Sequence, residues 1–553
     1  MPKGLRRVVF NAPSGGVNYT NDVFAIGQNQ CRVLRNCHLD GDGHARTRLG
    51  NRLLNPLSPL AGPVTSIYDY HRPYGPNTDT MVLVTAGRAL YRYDGTTFNK
   101  LTDLKSSDRP TWATFQDGAA APFAFMANGT DFIKYNGEVV SDVATGEDAY
   151  PWVSAPRYIV EYDDRLVAAG CDSDPYKIFV SESLNGTNWW PGLDSTPSYW
   201  GVKGQRGDKV SGLARIYDFL AIFQETGISI ITEADPSSQT SQQIQVSDRY
   251  GTTSHWSIQT VGATVYFADR TNIYRAVLRD TIENGLTVYT IGDNVRPKYM
   301  ENRAAGDVTS VYSPEYQELV WSIQTGSHDY RDTALTYSLA LSGNRSAYAG
   351  APVQSVWQDV WSGWSDGIAY RPYTLGLVQM DDEKLRVWSG DEDGYVRVQE
   401  ETYRYKDQRP VDGVATDVDV TTEIVTGPLA PYGMTMNKVA RQFTPTMFQR
   451  TNGSTRVQWV IDGAYVHPDT NRYVELTGLV PYYSDGSDDA LDQLWGNTVW
   501  QDEPYTPQPI GFVDPFRYIQ FRIINDGTAT QDGISYGGAE LWYQLGKIGR
   551  QTG

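Results

Sequence analysis

The feature that most constrains the fold of this chain is an internal repeat of a strand pair. Residues 81–98 read MVLVTAGRALYRYDGTTF, and residues 123–140 read FAFMANGTDFIKYNGEVV. Tyr93-Asp94-Gly95 aligns with Tyr135-Asn136-Gly137, which lies 42 residues further along the chain. Each copy is an apolar run, a reversal at glycine, an alternating run and a polar turn, a pattern typical of a β-hairpin. Hairpins repeated at roughly 40–50 residues are the signature of β-propeller blades.

Further candidate hairpins follow the two copies, and together they make seven. The later spacings are longer than the first, so we expect larger loops there. About 350 residues at roughly 45–60 residues per blade predict six to seven blades. Besides the two copies, the candidate hairpins are Arg165–Gly170 with Lys177–Ser181, Phe219–Phe223 with Ile228–Thr232, Thr264–Phe267 with Ile273–Ala276, Leu319–Ile323, and Leu385–Ser389 with Tyr395–Val398.

Composition and turn content extend the prediction to the whole chain. Aromatic residues make up 12% of the 553 residues, and 52 Gly and 29 Pro break the chain often, which favours an all-β protein. We predict an extended N-terminal docking arm over residues 1–60, a β-propeller over 61–410 and a β-sandwich-like C-terminal domain over 411–553. The strand candidates of the last domain are Asp417–Val425, Arg456–Ile461, Tyr518–Ile524 and Ala539–Leu545.

Charge is distributed unevenly along the chain. The total is −18, whereas residues 1–52 hold eight basic and three acidic residues, a local charge of +5. A basic arm on an acidic body suits docking onto another acidic surface, although a solvated terminal segment gives the same pattern. An acidic body disfavours tight DNA binding but allows DNA to slide past as cargo. The predicted docking residues are Lys3, Arg6, Arg7, Arg32, Arg35, Arg46 and Arg48.

Motifs for common catalytic and metal chemistry are missing from the sequence. There is no GxxxxGK[ST], HExxH or GxSxG, and the six His residues are scattered. Cys31, Cys37, His38 and His44 have metal-ligand chemistry, but their C-x5-C-H-x5-H spacing does not match common zinc sites. We therefore predict no catalytic residues, no cofactor and no metal.

The cysteine count and the N-terminal sequence bear on where the protein is made. Three cysteines do not make a disulfide framework. No signal peptide is visible, and no stretch approaches 18 apolar residues. We expect synthesis in a reducing cytoplasm and no insertion in a membrane.

Exposed aromatic residues are the remaining site candidates. Trp189, Trp190, Tyr199 and Trp200 lie in or beside a long loop, where they would stack sugars or anchor a protein interface; packing between blades is the alternative. The preceding Ser181–Trp189 loosely resembles the Asp-box turn of sialidase-like propellers, with Asn185 in place of the acid.

An ordered series of segments resembles one family of virion proteins. The chain is similar to the β-propeller tail nozzle (tail tubular) proteins, and to the related tail-hub and packaged-DNA stabilisation proteins, of short-tailed bacteriophages. The similarity covers most of residues 30–400. Its segments are Asn36 to Gly50 with Arg46 and Arg48, Asp164–Gly170, Lys177–Ser183, Asn188-Trp189, Asp218–Phe223, Gly227–Ile230, Ser247–Gly251, Ser257-Ile258, Val265–Ala268 and Ile273–Arg275.

This resemblance implies a structural virion protein without enzymatic activity. It implies a homo-oligomeric ring of six subunits below the portal and its adaptor, with tail fibres or spikes as further partners. Double-stranded DNA would be retained and then conducted through an acidic lumen during ejection. The alternative is a glycan-binding or glycan-cleaving propeller of a tail receptor-binding apparatus, which depends on the tryptophan-rich loop.

Overall fold

The fold was analysed in a computed structural model of the chain. It describes residues 5–20, 26–71, 80–118, 122–143, 154–189, 199–202, 208–236, 238, 240–278, 286–302, 307–325, 330–344, 357–358, 361–364, 371–380, 383–404, 406–431, 436–449, 455–461, 464–465, 473–476, 510–525 and 534–545.

Five short strands precede the repeats: β1 (Leu5–Phe10), β2 (Cys31–Arg35), β3 (Cys37–Leu39), β4 (Ala45–Thr47) and β5 (Leu49–Leu53). Antiparallel blades follow in chain order. Blade one is β6 (Val64–His71), β7 (Thr80–Ala86), β8 (Ala89–Tyr93) and β9 (Phe98–Asp103), and blade two is β10 (Thr111–Phe115), β11 (Phe123–Ala127), β12 (Phe132–Tyr135) and β13 (Val140–Asp142). Blade three is β14 (Tyr158–Tyr162), β15 (Arg165–Cys171), β16 (Asp174–Val180) and β17 (Tyr199–Gly201), and blade four is β18 (Val210–Ile216), β19 (Phe219–Gln224), β20 (Ile228–Ile231) and β21 (Gln243–Ser247).

The last three blades are built in the same way, with one pairing from outside the repeat. Blade five is β22 (Gln259–Val261), β23 (Thr264–Ala268), β24 (Ile273–Leu278) and β25 (Leu286–Thr290). Blade six contains β26 (Thr309–Ser313), β27 (Glu318–Ile323), β28 (Thr333–Ser338) and β31 (Trp361–Trp364), with the small pair β29 (Gly343–Asn344) and β30 (Trp357–Gln358) before β31. Blade seven is β32 (Thr374–Gln379), β33 (Leu385–Gly390), β34 (Val396–Arg404) and the N-terminal strand β5.

These sheets form a closed seven-bladed propeller. The first strand of each blade contacts the first strands of both neighbouring blades, and β32 of blade seven contacts β6 of blade one. The predicted all-β propeller fold is therefore confirmed. Each predicted hairpin is the second and third strand of its blade, so the first strand, which lies nearest the axis, is the one that the repeat did not reveal.

Hydrophobic cores fill the spaces between neighbouring blades. Successive side chains of a strand point to opposite faces of its sheet. In β15, Leu166 and Ala168 pack toward blade two, while Val167 and Ala169 pack toward blade four. At the closure, Gly376 lets blade seven approach blade one, because a Cβ there would lie 2.8 Å from the Ile67 carbonyl oxygen. Both faces of each blade are thus buried, which accounts for the apolar runs in the repeat.

β35 (Lys406–Val411) and β36 (Val414–Asp419) form a separate two-stranded hairpin, and β35 contacts β5. The remaining strands form a sandwich beside blades five and six. They are β37 (Thr422–Thr426), β38 (Lys438–Gln449), β39 (Thr455–Ile461), β40 (Ala464–Tyr465), β41 (Tyr473–Leu476), β42 (Ile510–Phe516), β43 (Ile519–Asn525) and β44 (Ile534–Leu545). The first sheet has the order β3-β4-β44-β38-β42, with β1 also paired to β44. The second has the order β2-β37-β43-β39-β40, with β41 on β39, and β2 joins it to β31 of blade six. One core, which includes Phe443 and Phe521 with ring centroids 3.7 Å apart, runs from the sandwich to blade six.

The predicted N-terminal arm is wrong for its described part. β1 pairs with β44, β2 with β37, and β5 with β34, so the described strands up to Leu53 are built into the sandwich and the last blade. The boundary predicted at residue 60 therefore separates strands that are paired. The reason is that these strands are only three to six residues long and their partners lie far away in sequence, so no local period marks them.

A buried ion pair fixes the closing strand. The guanidinium of Arg48 donates to both carboxylate oxygens of Asp407, and both side chains are fully buried. Asn51 adds two hydrogen bonds to the same carboxylate, from its backbone N–H at 3.0 Å and from Nδ2 at 2.9 Å. The pair joins the N-terminal segment, β5 and β35 at one point.

We expect Arg48→Met to lower the free energy of unfolding by about 3–5 kcal/mol, because it leaves the Asp407 carboxylate buried without its cation. Urea denaturation followed by tryptophan fluorescence measures this. The control Arg249→Met removes an arginine whose side chain is 82% exposed and should change stability by less than about 0.5 kcal/mol. Equal effects of the two substitutions would contradict the role given to the pair.

Candidate functional site

Side chains from several blades meet at one end of the propeller axis. Because the first strand of every blade runs in the same direction along the axis, the segments that precede these strands lie on one face, which we call the upper face. The turns between first and second strands lie on the opposite, lower face. Four residues lie one to three positions before the first strand of a blade. They are Arg109 in blade two, Trp256 in blade five, Asp307 in blade six and Tyr373 in blade seven. Together with Arg331, they form what we call the axial cluster.

Arg109 connects opposite sides of the ring. It belongs to blade two, and its Nη2 donates to the Tyr373 carbonyl oxygen of blade seven at 2.6 Å. Its Nη1 lies 3.0 Å from Asp307 Oδ1 of blade six, and the side chain is only 4% exposed. The guanidinium also lies 5.1 Å from the ring centroid of Trp256 in blade five. Since a seven-membered ring places blade two across from blades five and six, Arg109 spans the axis.

Trp256 of blade five forms a hydrogen bond back to blade two. Its indole Nε1 donates to the carbonyl oxygen of Pro110, next to Arg109, at 3.2 Å. The neighbouring His255 ring lies 5.0 Å from the ring of Tyr158, the first residue of the first strand of blade three. The axis is therefore filled at the upper face by groups from five of the seven blades.

Two buried arginines share one carboxylate in the cluster. Arg331 Nη2 lies 2.8 Å from Asp307 Oδ2, and the Arg331 side chain is 2% exposed, against 36% for Asp307. Burial, together with the positive charge of Arg109, lowers the pKa of Arg331 to about 10. Burial and the Asp307 carboxylate raise the pKa of Tyr373. The arrangement is a charged latch between blades rather than an acid–base pair, because Arg331 stays protonated at neutral pH.

The predicted basic residues do not form one docking surface. Arg48 is buried in the ion pair described above, and Arg46 is bound to Asp40 at 2.7 Å. Arg7 pairs with Glu540 across the first sandwich sheet. The others separate as well: Arg6 lies half-buried in β1, Arg32 and Arg35 are exposed on β2, and Lys3 lies outside the described residues.

The predicted aromatic residues are mostly structural. Trp189 is fully buried and packs on Phe132 of blade two with ring centroids 6.0 Å apart, which agrees with the packing alternative. Trp200 is half-buried and donates its indole N–H to the Ala234 carbonyl oxygen at 3.0 Å. Tyr199 is 38% exposed, with the Lys177 ammonium 4.7 Å from its ring centroid. Trp190 lies outside the described residues.

The four residues whose side chains could bind a metal, Cys31, Cys37, His38 and His44, have other surroundings or partners in the structure. Cys31 and Cys37 are buried in the sandwich core, where burial raises the thiol pKa of both. His38 Nδ1 lies 2.8 Å from Glu318. Asp40, Asp42 and His44 lie close enough to share an ion, but Arg46 already occupies the Asp40 carboxylate. In blade seven, Asp391 Oδ1 accepts the backbone N–H of Tyr395 at 2.8 Å, and Asp391 Oδ2 accepts a hydrogen bond from Arg397 Nη1 at 2.6 Å.

Sequence reasoning missed the axial cluster entirely. Its members are scattered over more than 260 residues, and no motif unites them. Position was the one signal that could have revealed the cluster, because four of its members lie just before the first strand of a blade. The first strands themselves were not recognised from the sequence.

Comparisons with known proteins found similar chains only among solved structures. No family model matches this chain, and no curated protein matches it. Among solved structures, the WD40 domain of Neurospora crassa Pan2 has 11% identity and a TM-score of 0.37, covering 66% of this chain and 97% of that chain. Virginiamycin B lyase from Staphylococcus aureus has 9% identity and a TM-score of 0.37, covering 64% and 98%. The WD40 β-propeller domain of Doa1 has 10% identity and a TM-score of 0.36, covering 64% and 99%. At this level of similarity the activities of these proteins do not carry over.

The class that the described residues define is thus a seven-bladed β-propeller with a sandwich domain built onto blade six. None of the helices among the described residues is both long and apolar enough to cross a bilayer; the 3₁₀ turn His255–Ser257 and α1 (Arg296–Tyr299) are each under five residues.

We expect Arg109→Met to destabilise the protein by about 2 kcal/mol, because it removes the charge-assisted hydrogen bond from blade two to blade seven and the ion pair to blade six. Chemical denaturation measures the change. Arg249→Met is the matched control, since the Arg249 side chain is 82% exposed and its nearest carboxylate is 3.9 Å away. A loss of similar size in the control would argue against a latch at the axis.

Acid should weaken the protein through His255. Burial lowers the pKa of His255 to about 4, so between pH 6.5 and pH 4 the unfolded chain binds the proton that the folded chain excludes. Stability should therefore fall as the pH falls, with a contribution of about 2 kcal/mol between pH 7.5 and pH 5. Thermal unfolding of the wild type and His255→Gln at both pH values tests this.

The variant should lose less stability than the wild type over that interval. His38 acts in the opposite direction: burial lowers its pKa, but the Glu318 carboxylate outweighs this and the net shift is upward. Its contribution is present below its unfolded pKa and is lost as the pH rises through its folded pKa. Because both proteins contain His38, the difference between them isolates His255, and an identical pH response would contradict the assignment.

Proposed function

We propose that this chain is a structural virion protein of a tailed bacteriophage, without enzymatic activity. In this proposal six copies form a ring in the tail nozzle or hub, below the portal and adaptor, with fibres or spikes attached. The ring retains the packaged DNA and conducts it during ejection. The protein is made in the host cytoplasm and then incorporated in the virion.

The observation that carries the proposal is the ordered series of segments that resembles the nozzle and hub proteins. In the structure the segments from Asp164 to Arg275 follow one another through blades three, four and five, whereas the first segment, Asn36 to Gly50, lies in β3, β4 and the start of β5. Most of the resemblance therefore concerns a continuous part of one propeller rather than unrelated strands. The net charge of −18 also fits a wall past which DNA slides without binding tightly.

The axial cluster supports a non-enzymatic role. Propeller enzymes and ligand-binding propellers use the mouth of the channel and its surrounding loops. Here Arg109 and Trp256 from opposite blades contact each other across that mouth, and the groups they meet are held in hydrogen bonds. A duplex would not pass along this axis. In the proposal DNA passes through the lumen between copies, not through each propeller.

The glycan-binding alternative has less support than the proposal. It depends on an exposed aromatic platform, and Trp189 is fully buried while Trp200 is bound to Ala234. Of its described residues, Tyr199 alone offers a largely open ring.

We expect the purified chain, alone or mixed with its adaptor, to form a closed ring of six copies. Native mass spectrometry gives the copy number, and negative-stain electron microscopy gives the shape. Peptide mapping of purified particles should also find the protein in the virion. A chain that remains monomeric with the adaptor and is absent from particles would contradict the proposal, and release of reducing ends from host polysaccharide would favour the alternative.

A further inference from the structure

The lower face of blades three and four is a continuous surface of interlocked turns. The Leu184 backbone N–H donates to the Asp164 carbonyl oxygen at 2.8 Å, within blade three. Asp163 Oδ2 accepts the backbone N–H of Ala234 in blade four at 3.0 Å. The Tyr162 hydroxyl donates to the carbonyl oxygen of Asp218, also in blade four, at 2.7 Å. These bonds hold the turns of both blades in one rigid patch, which we call the lower-face patch.

Two large side chains of this patch are held in an unfavourable backbone conformation. Leu184 has φ 57° and Tyr217 has φ 49°, a region that bulky residues seldom adopt and that favours Gly, Asn or Asp. Both side chains point to solvent, with 47% of Leu184 and 60% of Tyr217 exposed. Neither residue gains burial in the isolated chain that would offset the strain. Such strain is concentrated at functional sites, where a contact outside the chain makes use of it.

The surroundings of these two residues are strongly acidic. At the lower ends of blades three and four there are seven acidic residues and two arginines: Glu161, Asp163, Asp164, Glu182, Asp218, Glu233 and Asp235, with Arg165 and Arg215. Both arginines already pair within the patch, Arg165 with Asp235 and Arg215 with Glu161. Asp163, Asp164 and Asp218 are exposed beside Leu184 and Tyr217. An apolar, aromatic centre with an acidic rim fits a partner surface with apolar and basic side chains.

The second sandwich sheet of the same chain offers a surface of that kind. Arg35 of β2, next to the core residue Leu34, is exposed on its outer side, Arg32 is exposed at the bulge between Cys31 and Val33, and Arg522 of β43 is 30% exposed. Val33 and Val425, which face each other across β2 and β37, lie half-buried between them. The acidic residue Glu423 lies among them, and its Oε1 is 2.6 Å from Arg522 Nε. Arginine with aliphatic neighbours is typical of the centre of protein interfaces.

We infer that the lower-face patch binds the outer side of the second sandwich sheet of a second copy of this chain. The two surfaces are different, so the contact is heterologous and repeats head-to-tail, which gives a ring when the rotation closes. This inference deepens the proposed function and depends on it, because it names the two faces that build the ring. It also gives Arg32 and Arg35 a docking role toward an acidic surface, as the charge pattern of the sequence suggested, but from within a folded sheet.

The sharpest test uses Tyr217→Asn in the full-length protein. Asn accepts positive φ, so the melting temperature of the monomer should stay the same or rise, while the dissociation constant for self-association rises at least tenfold. Sedimentation velocity over a concentration series measures association, and differential scanning fluorimetry measures stability. The control is Tyr289→Asn, which alters another exposed tyrosine, on the outermost strand of blade five, and should leave association unchanged.

Charge reversal identifies the two faces. Asp218→Lys and Arg32→Glu should each weaken self-association about tenfold at low salt. In an equimolar mixture, the unaltered patch of Arg32→Glu can bind the unaltered sheet of Asp218→Lys, so the mixture should associate more tightly than either variant alone. The double variant should also recover part of the lost affinity, because its two reversed faces are again complementary.

The outcomes separate the inference from the proposed function. Rings that form with unchanged affinity in all three single variants would overturn the inference and leave the ring itself intact. Loss of adaptor binding by Asp218→Lys, with self-association unaffected, would assign the patch to another basic partner and also overturn the inference. A wild-type chain that does not self-associate, with or without the adaptor, would overturn both.

Discussion

The closure of blade seven by a strand from the N-terminal segment is the constraint on which the rest of the structure depends. A propeller removes sheet edges only when its last blade is completed, and here β5 must travel from residue 49 to pair with β34. The Arg48–Asp407 pair holds β5 at that position. The same segment supplies β1 to β4 to the sandwich. Propeller and sandwich therefore share a core and a closing element, and neither is complete without residues from both ends of the chain.

The repeat predicted the propeller because its signal is local. Each middle hairpin is contiguous, apolar on both faces and bounded by a polar turn, so period-2 patterning and turn chemistry were sufficient to find all seven. The first strands escaped because residues such as Thr111–Phe115 are short and follow irregular segments. The N-terminal strands escaped because their partners lie several hundred residues away, and strand pairing over that distance leaves no local pattern. Arg48 shows the consequence: its charge suggested docking, whereas its burial makes it structural.

Because the propeller axis is closed at the upper face, we expect contacts with partners on the outer surfaces of the propeller rather than at its centre. Arg109 fills the upper mouth together with Trp256 and Asp307, which it contacts from across the axis. The lower face of blades three and four differs from the upper mouth, because Leu184 and Tyr217 have strained backbone conformations and their side chains are exposed to solvent. Local conflicts of this kind are expected where a contact outside the chain supplies the compensation. An acidic propeller with a strained, exposed lower face and a basic sheet elsewhere is consistent with a protein that acts by assembly.

The path of DNA relative to the propeller axes is the most direct test of this account. A cryo-electron microscopy reconstruction of the purified tail or of the whole particle would locate the copies and the DNA in one map. The account predicts a ring of copies with a single lumen between them, DNA density in that lumen, and each propeller axis closed at Arg109 and Trp256. A map with DNA running through an open propeller axis, or with one isolated copy away from the DNA path, would contradict it.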